Sequence, residues 1–158
     1  MKLFCWIGLV TALFTPLSAG DTSLHMAVAE ANKDQVNNLL AAGVDINATM
    51  NGGFTPLMVS IKYGRMDILS TLLDKDADIN KTNTDGNSPL MVAISSRRTQ
   101  AVKMLLDHNP SLAHKNTSGM DALEIARLLN LPEIIDLLES YSSSGGDTVS
   151  ASSKDKSD

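Results

Sequence analysis

The chain has little with which to build a disulfide framework, an aromatic core or a basic surface. It holds one cysteine, Cys5, so no disulfide can form within it. Aromatic residues make up 4% of its 158 residues. The core must therefore come from Leu, Ile, Val, Met and Ala, which favours helices over a β-sandwich. A formal net charge of −5 and a pI near 5.0 argue against nucleic-acid binding, which needs a basic face. Arg97 and Arg98 are the only adjacent arginines and do not change that balance. The apolar run from Leu3 to Phe14 is too short and too interrupted for a comfortable transmembrane helix. With 43% hydrophobic and 20% charged residues, a chain of this length suits one soluble domain.

The ends differ in character from the middle. Residues 1–20, MKLFCWIGLVTALFTPLSAG, place Lys2 before the apolar run and Pro16, Ser18, Ala19 and Gly20 after it. That is the three-part layout of a secretory signal, with cleavage expected after Ala19 or Gly20 and an uncleaved anchor as the alternative. Cys5 lies inside the apolar run, where it is badly placed for lipidation, and cleavage would remove it. The exported chain would then be held by packing alone. A short basic start and a short apolar segment suit bacterial export, so the expected location is the periplasm, with full secretion as the alternative. Residues 140–158, SYSSSGGDTVSASSKDKSD, are too poor in apolar side chains to order themselves and read as a disordered tail.

Between these ends the chain repeats. Leu24, Leu57, Leu90 and Leu123 are spaced by 33, and so are Ala27, Ser60, Ala93 and Ala126. Gly20, Gly53, Gly86 and Gly119 keep the same step, so the middle of the chain is a tandem array. In one unit, Thr55 or its counterpart Ser88 can cap a helix whose first turn takes Pro56 or Pro89. Leu57, Ser60 and Ile61 then share a face, and Gly64 ends the helix. A second helix from about Asp67 sets Ile68, Leu69, Leu72 and Leu73 at helical spacing. Asp76 to Asn80 returns the chain, and Thr84-Asp85-Gly86-Asn87 turns it into the next unit. No unit buries its apolar face alone, so the units must stack.

The stretches TSLHMA from Thr22, TPLMVS from Thr55, SPLMVA from Ser88 and DALEIA from Asp121 carry the 33-residue signature of ankyrin repeats. Residues 21–139 resemble that family. The resemblance implies an all-α solenoid of about four 33-residue helix–turn–helix units joined by β-hairpin-like loops. The units fall at about 21–48, 49–81, 82–115 and 116–139. Departures from the pattern shape further expectations. The family's histidine is kept as His25 but replaced by Met58, Met91 and Glu124, so its loop hydrogen bond should be missing from three units. Arg97-Arg98 replaces the usual Gly-His and suggests a looser turn. His108 to Ser111 breaks the regular loop ending, and Pro132 opens a last unit that reads as a polar terminal cap.

Nothing in the pattern points to catalysis. His25, His108 and His114 lack metal-ligand spacing, and His108 and His114 read as solvated loop residues. There is no nucleophile turn of the G-x-S-x-G kind, and Gly52-Gly53 and Gly145-Gly146 are not phosphate loops. Neither enzyme activity nor a cofactor is expected. The resemblance implies instead that a protein partner binds the hairpin loops and the exposed side of the first helices. By register these are Asn51, Gly52 and Phe54; Thr84, Asp85 and Asn87; and Thr117, Ser118 and Met120. The helix positions are Lys62 and Tyr63, Ser95 and Ser96, and Leu128 and Leu129, the last two expected to be core. Phe54 and Met120 have a competing reading in which they fold back on a neighbouring unit. The functional expectation is a monomeric, non-catalytic protective or inhibitory binder in the bacterial envelope, with a secreted effector of host proteins as the alternative.

Overall fold

A computed structural model describes residues 20–145, with side chains from Ser23 onward. Residues 1–19 of the expected signal segment and residues 146–158 of the expected 140–158 tail lie outside the described residues. Among the described residues there are helices and no strand. The order is α1 (Gly20–Ala29), α2 (Lys33–Ala41), α3 (Pro56–Lys62), α4 (Met66–Asp74), α5 (Pro89–Ser95), α6 (Thr99–Leu106), α7 (Ala122–Leu128) and α8 (Pro132–Ser143). None is long and apolar enough to cross a membrane.

The helix starts follow from cap chemistry. Thr55 Oγ1 accepts from the Met58 N–H at 3.3 Å, and Ser88 Oγ accepts from the Met91 N–H at 3.4 Å. Pro56 and Pro89 then open α3 and α5, where a missing N–H costs nothing. In the fourth unit Asp121 and Glu124 cap each other's backbone N–H groups, at 2.9 and 2.8 Å. The first unit differs: α1 begins at Gly20, so Thr22 lies within the helix rather than capping it.

Helices α1, α3, α5 and α7 pack in sequence as an inner row, while α4, α6 and α8 follow one another behind them. Leu24, Leu57, Leu90, Ile61 and Ile94 are buried in the seams of the inner row. From the second row come Ile68, Leu69, Leu72 and Leu73, the face that helical spacing selects. Each such side chain contributes about 1.5–3 kcal/mol by leaving water, so the core is one continuous strip. Met58 and Met91 are buried too and occupy with an adaptable apolar chain the place that histidine holds in the first unit.

Hydrogen bonds repeat at the same step. Thr84 N and Oγ1 both donate to the Gly52 carbonyl at 3.0 Å, and Thr117 N and Oγ1 donate to the Asp85 carbonyl at 3.0 and 2.9 Å. The loops approach so closely that a β-carbon on Gly53 would lie 2.8 Å from the Thr84 nitrogen. Gly86 is in the same position, 3.0 Å from the Thr117 nitrogen, and glycine is required at both. At the other end of the units, Asn47 Oδ1 accepts from the Asp78 N–H at 2.8 Å, and Asn80 Oδ1 accepts from the Ser111 N–H at 2.9 Å. The Asp-Ile-Asn ending thus joins the first unit to the second and the second to the third: its Asp closes a local turn, and its Asn reaches across.

Three expectations change. The Arg97-Arg98 turn is no looser than the others: its N–H groups bond to Ile94 and Ala93 as those of Gly64 and Arg65 bond to Ile61 and Ser60. Arg97 takes the left-handed conformation to achieve this, with φ 55°. His114 is not a solvated loop residue. It is half-buried, and its Nε2 donates to the Gly86 carbonyl at 2.8 Å, tying the third unit's end to its own hairpin. Finally, α8 runs through Ser143, past the expected close of the array at 139, and Tyr141 Oη donates to Asn109 Oδ1 at 3.2 Å.

The array ends where its apolar positions become polar. Glu124 stands at the register of Met58 and Met91, and Arg127 at that of the buried Ile61 and Ile94. Both side chains are exposed, and Arg127 Nη2 donates to Glu139 Oε1 at 2.9 Å. A face that no described unit covers is thus made wettable.

Candidate functional site at the loop tips and inner-helix ends

The face formed by the loop tips and the C-terminal ends of α3, α5 and α7 carries the expected contact residues, but they divide into two groups. Asn51, Lys62, Thr84 and Asp85 are exposed, and Tyr63 is 53% exposed. Thr84 and Asp85 lend backbone or hydroxyl groups to the loop ladder while their positions remain open to solvent. Asn87 belongs to the framework. It is half-buried, its Oδ1 accepts from Asn116 Nδ2 at 3.0 Å, and its backbone pairs with Asn83.

Phe54 and Met120 are half-buried and pack against the core, as the fold-back reading holds. Phe54 keeps an outward role through its ring. Lys62 Nζ sits 5.2 Å from the ring centroid, a cation–π contact that fixes a positive charge beside Tyr63. The Phe54 carbonyl also receives the His25 Nε2–H at 2.9 Å, which docks the first unit on the second unit's loop. Ser96 is half-buried and Ser95 exposed, so the third unit presents a small, polar step between its neighbours.

Leu128 was expected in the core and is instead 70% exposed, while Leu129 is half-buried against the core. The signal was available in the register, since Leu128 aligns with Lys62 and Ser95, both exposed. Met50, 38% exposed, is a second apolar residue near the loops that spacing had not singled out. It stands where Asn83 and Asn116 clamp the later loops with their side-chain oxygens. The 50–54 loop is therefore closed by backbone bonds from Met50 and Gly53.

At the fourth unit's loop, charge is concentrated rather than spread. Lys115 Nζ lies 3.0 Å from Glu124 Oε2 and 3.5 Å from Asp121 Oδ2. The Asp121 backbone N–H, and then Lys115, hold the Glu124 carboxyl below the usual range. The bond to Glu124 in turn raises the Lys115 ammonium above its ordinary value. Nearby, a half-open groove of about 350 Å³ is lined by Leu112, Leu123 and Leu138 together with the acidic Asp121 and Glu139. No group of three or more His, Cys, Asp or Glu side chains among the described residues could hold a metal ion.

A family model for ankyrin repeats, in three copies, matches residues 5–83 and 77–147. The chain belongs to the ankyrin repeat family, whose members are generic protein-binding modules and typically carry no catalysis. No curated protein matches it.

Proposed function

We propose that this array is an exported, non-catalytic binder that holds another protein in the bacterial envelope and protects or inhibits it. The observation that carries the reading is the exposure of two large apolar side chains, Tyr63 and Leu128, at the solvent-facing ends of inner helices α3 and α7. Both stand at the ends of inner helices on one face, and tyrosine is favoured at the energetic centres of interfaces. Between them lie the small Ser95 and Ser96, which leave room for a partner's side chains. The signal-like residues 1–20 support placement in the envelope.

The test is capture from native envelope extract by the chain beginning at Asp21, in parallel with a Tyr63→Ala, Leu128→Ala variant. One abundant partner should be retained by the first and lost by the second. Truncating a central hot-spot residue costs about 2 kcal/mol or more, roughly thirtyfold in affinity. Equal retention by both proteins refutes this face. Recovery of the native protein from culture medium, with none in the envelope, replaces the protective reading with that of a secreted effector.

A further inference from the structure

Every unit places a residue in the left-handed conformation at the turn between its helices: Ala31 at φ 61°, Gly64 at 68°, Arg97 at 55° and Asn130 at 52°. Just beyond that turn, three of the four units put an acid in the first turn of the second helix: Asp34, Asp67 and Glu133. Asp67 follows Asp34 by one 33-residue step and Glu133 follows Asp67 by two. The third unit breaks this pattern. Its counterpart is Gln100, and the first turn of α6 holds no acidic residue. In the same unit the turn carries Arg97 and Arg98. The acid is removed and two cations are present at one place on an otherwise acidic chain.

Among the described residues, neither of those side chains makes an ion pair or a hydrogen bond. Arg65, the counterpart of Arg98, donates from Nε and Nη2 to the Ala29 carbonyl at 3.1 and 2.8 Å. Arg127 is paired with Glu139, Lys103 with Glu133, and Lys115 with Asp121 and Glu124. Arg97 and Arg98 are both exposed and make no ion pair among the described residues. The Arg98 guanidinium lies against the preceding turn. A β-carbon on Gly64 would come within 3.2 Å of its Cζ and Nη1. The residue before Gly64 is the exposed Tyr63.

We propose that this turn is a docking point for an acidic segment of the partner protein, whose carboxylates take the place of the acid that the third unit lacks. The proposal rests on the reading that the Tyr63 face binds protein. A planar guanidinium already seated on a neighbouring turn can meet a carboxylate bidentately with little further loss of freedom. A short acidic segment fits better than a nucleic acid, because a chain of net charge −5 repels a long polyanion away from this one turn.

The probe is an acetylated tetraglutamate amide titrated into isotopically labelled protein, followed by amide chemical shifts. Tetraglutamine and a single-stranded thymidine oligonucleotide of matched charge serve as comparisons. Shifts are expected at Gly64 and residues 96–100 with tetraglutamate, absent with tetraglutamine, and weaker several-fold at high salt. Arg97→Gln, Arg98→Gln should abolish them without altering the remaining spectrum. Gln100→Glu, which leaves both arginines in place but restores the pattern of the other units, should weaken binding several-fold. Unchanged shifts in the arginine variant overturn the proposal. So does tighter binding of the oligonucleotide at the same residues. If the envelope partner is lost with Tyr63→Ala, Leu128→Ala yet retained by the arginine variant, the protein-binding reading stands and the acidic-segment proposal fails.

Discussion

Arg97 pays a conformational penalty that its counterpart Gly64 does not, and exchanging side chains between the two positions measures it. Both take the left-handed region, at φ 55° and 68°, and both N–H groups bond to the carbonyl of the buried isoleucine three residues earlier. An L side chain in that region costs about 1–2 kcal/mol. Arg97→Gly removes that cost but gives the unfolded chain more freedom, worth about 0.4–1 kcal/mol in the other direction. The Arg97 side chain is exposed and makes no ion pair among the described residues, so little else is lost. The expected net effect is stabilisation by about 0.5–1 kcal/mol, a rise in Tm of about 1–4 °C for a chain of this size. Gly64→Ala should act in the opposite sense. It gains the same strain and sets its β-carbon 3.2 Å from the Arg98 guanidinium, which must move. A destabilisation of about 1 kcal/mol follows, moderated because a flexible side chain can yield. Urea unfolding followed by far-ultraviolet circular dichroism gives both values. If Arg97→Gly destabilises the protein, Arg97 makes a stabilising contact and the strain argument is wrong. A stabilised variant that also loses tetraglutamate binding would show a residue retained at the expense of stability, as binding sites often require.

Asn80→Ala removes the acceptor for the Ser111 N–H and should cost about 1 kcal/mol in urea unfolding. An unchanged midpoint would mean that water replaces the bond fully. Leu90→Ala opens a cavity in the middle of the strip and should cost about 2–5 kcal/mol, read from the same transition. Glu124 has a folded pKa below its unfolded value, so its stabilisation is present above the ordinary carboxylate range and is lost as pH falls through the folded value. Lys115 has a raised pKa, so its contribution is present below the ordinary lysine value and is lost as pH rises through the folded one. Thermal melts of Glu124→Gln should therefore differ from those of the unaltered protein near neutral pH and converge with them in acid. A constant difference across that range would rule out the carboxylate's charge as the cause.

The helices were legible because their information is local. Thr55-Pro56-Leu57 combines a cap, a proline that needs no donor and the first core residue in three consecutive positions. Ile68, Leu69, Leu72 and Leu73 show the helical period without reference to anything distant. Contacts that cross units carry no such mark: nothing adjacent to His114 indicates the Gly86 carbonyl that it meets 28 residues back in the chain. The same is true of Asn87, which looked like a free loop amide and is engaged by Asn116 from the next unit. What does carry long-range information is comparison between units at equal register. Leu128 aligns with Lys62 and Ser95, and that alignment predicts exposure against the residue's own hydrophobicity. Arg127 aligns with Ile61 and Ile94, and the change of character marks the last unit as an end. Gln100 aligns with three acids, and the missing charge points to a place where the chain has left a carboxylate to be supplied from outside. In a repeat array the other units are the control, so a residue that departs from them at a solvent-facing position has no packing duty to explain it. Function is then best sought at such departures, because stacking alone would have favoured sameness.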